Sequence, residues 1–340
     1  MQYIMSLQPD SGKTLCSDVY HESGVIMLQF TSEPMVEIVS RLEKIVSKLN
    51  ATDILTFEVP NPDLGGSLYC GTPIEIDGTP SLHHSWKAWN DLAELLFCRM
   101  LTPKATSEHT VVLRYQKLDK ADSFHQAKIE NKEEKYGTLS PFSSISKNEE
   151  PSFLFAYRQA LKQVNIEKRQ TILDLGINSG DEFELIRTIT EKNSYMQMQL
   201  IGIDHSPSAI KEAERRFPEK NATFCCHDIN RLDELALPKA DLILSIGTLQ
   251  SPGIDFKPLF MSLIQNYLSH EGAVILGFPN CRWIDGMMVY GAKAPNYSFS
   301  EMSLLIKDIY FCKKYLQQHK FRVTITGKEY LFLTATKIGK

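Results

Sequence analysis

Beyond about residue 150 the chain alternates between short apolar runs and longer stretches with an apolar residue every third or fourth position. The runs fall at 171–175, 199–203, 222–226, 241–245 and 272–277. Each is apolar at both odd and even positions, as in strands of a parallel sheet covered on both faces. Between them, 181–192, 207–216, 231–236 and 255–269 carry the helical period. The same period predicts a leading helix over 151–164 and a later one over 299–319. The residues 321–326 and 329–335, joined by Gly327 and Lys328, read as a β-hairpin. Strand and helix in strict alternation predict an α/β fold.

The first part of the chain is patterned differently. Strands are predicted at 24–30, 53–59, 67–76 (with a break at Gly71) and 110–117. Ser32 is placed to cap a helix over 33–49, and a second helix is predicted over 85–100. Its buried stripe is Trp86, Trp89, Leu92, Leu95 and Leu96. The order βαββαβ is that of a ferredoxin-like sandwich. Between the two parts, 117–135 is highly charged with little apolar periodicity, and 136–146 is rich in turn formers. The expected organisation is therefore an N-terminal α+β domain over 1–120, a linker or lid over 121–150, and an α/β domain over 151–340.

Composition changes this picture little. Hydrophobic residues at 43% and charged residues at 23% suit a soluble globular protein, and a net charge of −4 gives no overall pull toward a polyanion. No apolar run is long enough to span a bilayer, and residues 1–10 lack the form of a signal peptide, so a cytoplasmic protein with no membrane partner is expected. The seven cysteines are scattered without a C-x-x-C pair, which points to free thiols and no metal site.

The candidate chemistry lies at the strand ends. The first run ends in Asp174-Leu-Gly-Ile-Asn-Ser-Gly180 and leads straight into a helix, a turn suited to bringing backbone N–H groups against a ligand. The second ends in Asp204-His205-Ser206, the third in Asp228-Ile229, the fourth in Ser245-Ile246-Gly247. An acid at the position of Asp204 suits ribose hydroxyls, and Asp228 suits an exocyclic amine. Singly, each acid also reads as a helix or turn cap, with Ser206 competing with Asp204. Ligands of open α/β sheets sit outside such strand ends.

These motifs, with the reversed hairpin after the fifth parallel strand, resemble class I S-adenosylmethionine-dependent methyltransferases over residues 150–340. The resemblance implies a Rossmann-like methyltransferase sheet and S-adenosyl-L-methionine as cofactor, with S-adenosyl-L-homocysteine as product. It further implies that Asp174, Gly176, Asn178 and Gly180 line the methionine and ribose portion. Asp204, with His205 and Ser206 beside it, would take the ribose; Asp228 and Ile229 would take the adenine; Ser245, Ile246 and Gly247 would edge the sulfonium. Asn178 stands where the family usually has its middle glycine, a substitution that left-handed backbone tolerates in Asn.

Methyl transfer from a sulfonium needs alignment and exclusion of water more than covalent help. Candidate acceptor-site residues lie in the long insertion 280–297: Arg282, Trp283, Asp285, Tyr290, Lys293 and Tyr297, with Asp285, Tyr290 and Tyr297 the candidate catalytic groups. The stretch 136–147 is a second candidate wall. Cys281 follows the fifth strand, where some RNA pyrimidine methyltransferases keep a nucleophile, but the rest of that signature is missing. Residues 1–120 hold 10 Lys+Arg against 15 Asp+Glu, whereas 301–340 hold 8 against 3. A small-molecule acceptor is favoured on this balance. An RNA acceptor on the basic C-terminal surface, a non-catalytic cofactor-binding protein and a homodimer stay open.

Overall fold

The computed structural model describes residues 19–20, 26–119, 140–284, 286–290 and 302–339. The chain divides into two compact units, Met1–Ser123 and Phe124–Lys340.

In the first unit the elements are β1 (Val19–Tyr20), β2 (Ile26–Gln29), α1 (Met35–Val46), β3 (Ile54–Pro60), β4 (Pro73–Ile76), β5 (Thr79–Leu82), α2 (Trp86–Leu95), β6 (Cys98–Ala105) and β7 (Thr110–Lys117). The sheet order is β1-β2-β3-β7-β6, with β4 and β5 as a separate hairpin. Phe30, Phe57, Trp89 and Tyr115 centre the core between sheet and helices.

This is mixed α and β but not the ferredoxin-like sandwich. There the strands joined by a helix are split by another strand, whereas here β2 and β3 are parallel neighbours. Two local causes are visible. Gly66 and Gly71 take φ of 42° and 83°, so 67–72 turns instead of extending, and only β4 of the expected strand forms. Helix α2, capped by the Ser85 hydroxyl accepting the Ala88 N–H at 3.2 Å, stops early because Phe97 takes φ 57°. The chain then runs on as β6, which the apolar pattern of the helix had hidden. Leu95 accordingly lies off the buried stripe and is 79% exposed, while Trp89, Leu92 and Leu96 are buried. Ser32 does not cap α1; Pro34 holds that position without a side-chain bond.

The second unit comprises α3 (Pro151–Gln163), β8 (Thr171–Leu175), α4 (Asp181–Ile189), α5 (Lys192–Gln197), β9 (Gln199–Asp204), α6 (Pro207–Arg216), β10 (Ala222–Cys226), β11 (Ala240–Ile246), α7 (Phe256–Ser262), β12 (Leu268–Pro279), β13 (Cys281–Ile284), β14 (Met287–Tyr290), α8 (Ser303–Gln318), β15 (Phe321–Gly327) and β16 (Tyr330–Lys337). The seven-stranded order is β10-β9-β8-β11-β12-β16-β15. The first five strands are parallel, and β16 lies antiparallel between β12 and β15. This is the expected α/β sheet with its reversed hairpin.

Alternation along the strands fills both faces. Leu173, Leu175 and Ile243 pack with Phe260 and Leu316 on one side. Ile172, Leu242, Leu244 and Ile246 pack with Tyr157 and Phe332 on the other. Burial of each such side chain is worth about 1.5–3 kcal/mol.

Local departures have local causes. The expected helix 181–192 ends at Ile189 and a further helix, α5, follows from Lys192, 231–236 is a short 3-10 segment over Ile229–Glu234, and α7 ends in one π-helical turn, Leu263–Tyr267. Cys225 and Cys226, expected to be buried, are half-buried and exposed because β10 is an edge strand. Among the described residues the cysteines are free thiols, no group of side chains is arranged to hold a metal ion, and no helix is long and apolar enough to cross a membrane.

Candidate functional site

Strand order reverses between β8 and β11, which are parallel neighbours with Asp174 opposite Leu244. Ligands of open α/β sheets bind outside the carboxyl ends of the strands at such a switch point. The two strands end in Asp174-Leu175-Gly176 and Ser245-Ile246-Gly247, and the Ser245 hydroxyl donates to the Leu175 carbonyl at 3.2 Å. The loops meet closely. A Cβ on Gly176 (φ 79°) would fall 2.0 Å from Thr248 Oγ1, and one on Gly247 (φ 79°) 2.2 Å from the Tyr330 hydroxyl oxygen. Both positions need glycine for backbone angle and for space.

The turn after β8 is pinned from several sides. The Gly176 N–H donates to the Ile203 carbonyl at 2.7 Å. Asn178 takes φ 47°, and its side-chain oxygen accepts the Ser179 N–H at 2.8 Å. Arg216 donates to the Ser179 carbonyl at 2.9 Å and to Asp181 at 2.7 Å, holding Gly180 and the start of α4. Asp181, Glu182 and Glu184 all lie in the first turn of α4, where its dipole favours negative charge.

Asp204 ends β9 with 6% exposure. One carboxylate oxygen accepts the Asn178 N–H at 3.0 Å, the other the Ser206 N–H at 2.9 Å. The cap of α6 is Ser206, whose hydroxyl accepts the Ala209 N–H at 3.3 Å. Asp204 instead ties two strand ends together. His205 is exposed, its Nδ1 3.5 Å from Asp204. Asp228 is exposed and accepts the Asn230 N–H at 2.9 Å, so its turn-capping role is realised; Ile229 is buried in the core beside it.

Asp174 is 1% exposed, and neither of its oxygens has a partner at hydrogen-bonding geometry. Burial pushes its carboxyl well above the usual range, Glu182 adds to this, and Lys147 opposes it. Glu182 is pushed up to about 7, chiefly by burial, against the pull of Lys147. The Lys147 ammonium lies 4.0 Å from Glu182 and 5.6 Å from the centre of the Tyr330 ring. Burial acts to lower its pKa, but Tyr330, Glu182, Asp181 and Asp174 together hold it above the ordinary lysine range. Burial also raises Tyr157 and Tyr330. Glu182 and Tyr330 were not singled out from the sequence; an acid one residue into a helix and an aromatic on a strand are too common to signal a site. Lys147 was included only as the end of a candidate wall.

The insertion after β12 begins with the hairpin β13–β14, in which Cys281 pairs with Tyr290 and Arg282 and Trp283 are half-buried. Burial drives the Cys281 thiol up to about 12, which leaves it a poor nucleophile. Asp285, Lys293 and Tyr297 lie outside the described residues, as does the side chain of Tyr290.

Residues 166–321 match the protein-family model of a methyltransferase domain. That stretch, a little under half of the chain, is similar to methyltransferase domains, and the cofactor expected from the sequence is S-adenosylmethionine. A search of curated proteins finds no significant match. Similar solved structures include a SAM-dependent methyltransferase from Aquifex aeolicus, at 14% identity over 58% of this chain and 98% of that one, TM-score 0.39. The N-methyltransferase NodS from Bradyrhizobium japonicum WM9, in complex with S-adenosyl-L-homocysteine, is 14% identical over 56% and 89%, TM-score 0.39. The plantazolicin methyltransferase BpumL, in complex with SAH, is 18% identical over 58% and 89%, TM-score 0.37.

The site suits this cofactor. Asp174 is a buried acceptor whose oxygens meet no partner at hydrogen-bonding geometry, and Gly176 and Gly247 leave no room for a side chain between the loops and their neighbours.

Proposed function

We propose that the chain transfers the methyl group of S-adenosylmethionine to a small-molecule acceptor at the mouth of the β8–β11 switch point. The observation that carries the cofactor placement is the unpartnered, buried carboxylate of Asp174 beside the two glycine turns. Bound there, the cofactor supplies an already activated methyl group on a sulfonium. Asp174 binds the α-ammonium of its amino-acid head. Gly176, Asn178 and Gly180 shape the turn against it, and Asp204 holds that turn while offering its remaining lone pairs to the ribose. Asp228 and Ile229 stand at the adenine end, and Ser245, Ile246 and Gly247 border the sulfonium. The hairpin β13–β14, with Arg282 and Trp283, forms the acceptor side and excludes water. The candidates Asp285, Tyr290 and Tyr297 would matter as bases only if the acceptor must lose a proton.

The acidic balance of residues 1–120 supports a small acceptor over a polyanion. The excess of Lys and Arg in 301–340 favours the second reading, an RNA acceptor. The test is calorimetric titration with S-adenosylhomocysteine, followed by transfer of labelled methyl to metabolite and RNA fractions. Label in the metabolite fraction supports the proposal. Label in RNA, with binding that weakens steeply with salt, supports the second reading. Cofactor binding without transfer to either fraction overturns the catalytic reading.

A further inference from the structure

Lys147 precedes α3 on a short 3-10 turn, Lys147–Glu149, upstream of the residues that match the methyltransferase model. The turn is docked on α4: Asn148 Nδ2 donates to the Asp181 carbonyl at 2.8 Å. Lys147 itself reaches into the cluster below, its side chain 16% exposed and 4.0 Å from Glu182, which is 6% exposed. A lysine so placed loses hydration, and Tyr330 together with Glu182, Asp181 and Asp174 holds its pKa up against that loss.

The neighbouring Asp174 is not neutralised by this cation through a hydrogen bond, since both of its oxygens lack a partner. A cation and a buried carboxyl group thus stand near each other with no hydrogen bond between them. Glu182 orients the ammonium, while Asp174 is left as an open acceptor. The complement of such an arrangement is an α-amino acid zwitterion, whose ammonium and carboxylate are carried on one carbon. The cation is also well held. It lies over the Tyr330 ring, which stands against Gly247. Lys147 therefore sits beside both loops of the switch point.

We infer that Lys147 is a cofactor-binding residue: its ammonium receives the carboxylate of the amino-acid head, while Asp174 receives the α-ammonium. The inference rests on the cofactor placement proposed above. Glu182 acts here as a positioning residue, holding Lys147 in reach.

The test compares three ligands by calorimetry: S-adenosylhomocysteine, decarboxylated S-adenosylmethionine, which keeps the ammonium but lacks the carboxylate, and 5′-methylthioadenosine, which lacks the whole head. In Lys147→Met, affinity for S-adenosylhomocysteine falls about 10- to 100-fold, the loss of a charge-assisted hydrogen bond. Affinity for the other two changes less than about threefold, and Lys147→Arg keeps most of the S-adenosylhomocysteine affinity. Equal weakening of all three ligands, or of none, overturns the assignment to Lys147 and leaves the cofactor placement standing. The unaltered chain provides a second readout that does not depend on a variant folding. It should prefer S-adenosylhomocysteine over decarboxylated S-adenosylmethionine, and equal affinity for the two overturns the inference. Failure of the unaltered chain to bind S-adenosylhomocysteine overturns the cofactor placement itself.

Discussion

Asp204 accepts the backbone N–H of Asn178 at 3.0 Å, so the acid at the end of the second parallel strand fastens the turn that follows the first. Its other oxygen accepts the Ser206 N–H at 2.9 Å. Asp204→Ala should therefore lower stability by about 1–3 kcal/mol, because one buried and one half-buried N–H group lose their acceptor. It should also weaken S-adenosylhomocysteine binding at least tenfold, by freeing the turn and removing the ribose acceptor. Asp204→Asn should fall between the two. Urea unfolding and calorimetry, run on the same samples, check both effects; a stability loss with unchanged affinity would remove Asp204 from the binding site.

Gly247 and Tyr330 are coupled by space. Gly247→Ala places a methyl group 2.2 Å from the Tyr330 hydroxyl oxygen, with the next ring atom at 3.4 Å. It should destabilise through both the positive φ, at about 1–2 kcal/mol, and the clash. Tyr330→Phe removes the closest atom, so in the double variant only the backbone part should remain. A double-mutant cycle by chemical denaturation should give a coupling of about 0.5–3 kcal/mol. Additive effects would show that the hydroxyl moves away at no cost.

The buried carboxyl of Glu182 makes stability depend on pH. Its pKa is raised in the fold to about 7 from a usual 4.5. The folded state thus holds a proton that the unfolded chain releases, and this contribution is fully present below pH 4.5 and lost as pH rises through 7. Stability should decline across that window by on the order of 1–3 kcal/mol, with Asp174, raised in the same direction, adding to the slope. Glu182→Gln keeps the shape of the protonated form and should flatten the decline. Unfolding midpoints between pH 4.5 and 8 measure this. A slope equal to that of the unaltered chain would assign the effect to other groups.

Arg169 offers a control at the opposite end of the strands. It donates to the carbonyls of Val164 at 2.8 Å, Asp241 at 3.2 Å and Glu271 at 3.0 Å, joining the end of α3 to the starts of β11 and β12. Arg169→Met should cost about 2–4 kcal/mol by leaving these carbonyls without a donor. Affinity for S-adenosylhomocysteine, measured well below the new melting temperature, should stay within about twofold.

The second unit was legible because its signals are local and repeated. Strands β8, β9 and β11 lie within a residue of their expected bounds, since a strand buried on both faces must be apolar throughout; β10 matches its bounds as a half-exposed edge strand. The first unit was less so. The end of α2 turns on the positive φ of Phe97, for which the sequence holds no glycine or proline marker. The loss of the 67–72 part of the expected strand depends on glycine conformations that suit a bulge as well as a turn. In the site, acids and glycines at strand ends were visible because the chain supplies them next to a change of pattern. Lys147, Glu182 and Tyr330 come together only through packing, from three separate elements. Asp228 and Cys225 show the reverse limit, because exposure depends on which strand becomes the sheet edge.

β16 enters the sheet between β12 and β15, and it brings Tyr330 to Gly247 and Lys147. Asp174, at the other side of the same site, is made long before. In the order of synthesis, the five parallel strands exist before the strand that walls their switch point. Binding competence should therefore appear abruptly, late in translation, rather than grow with chain length.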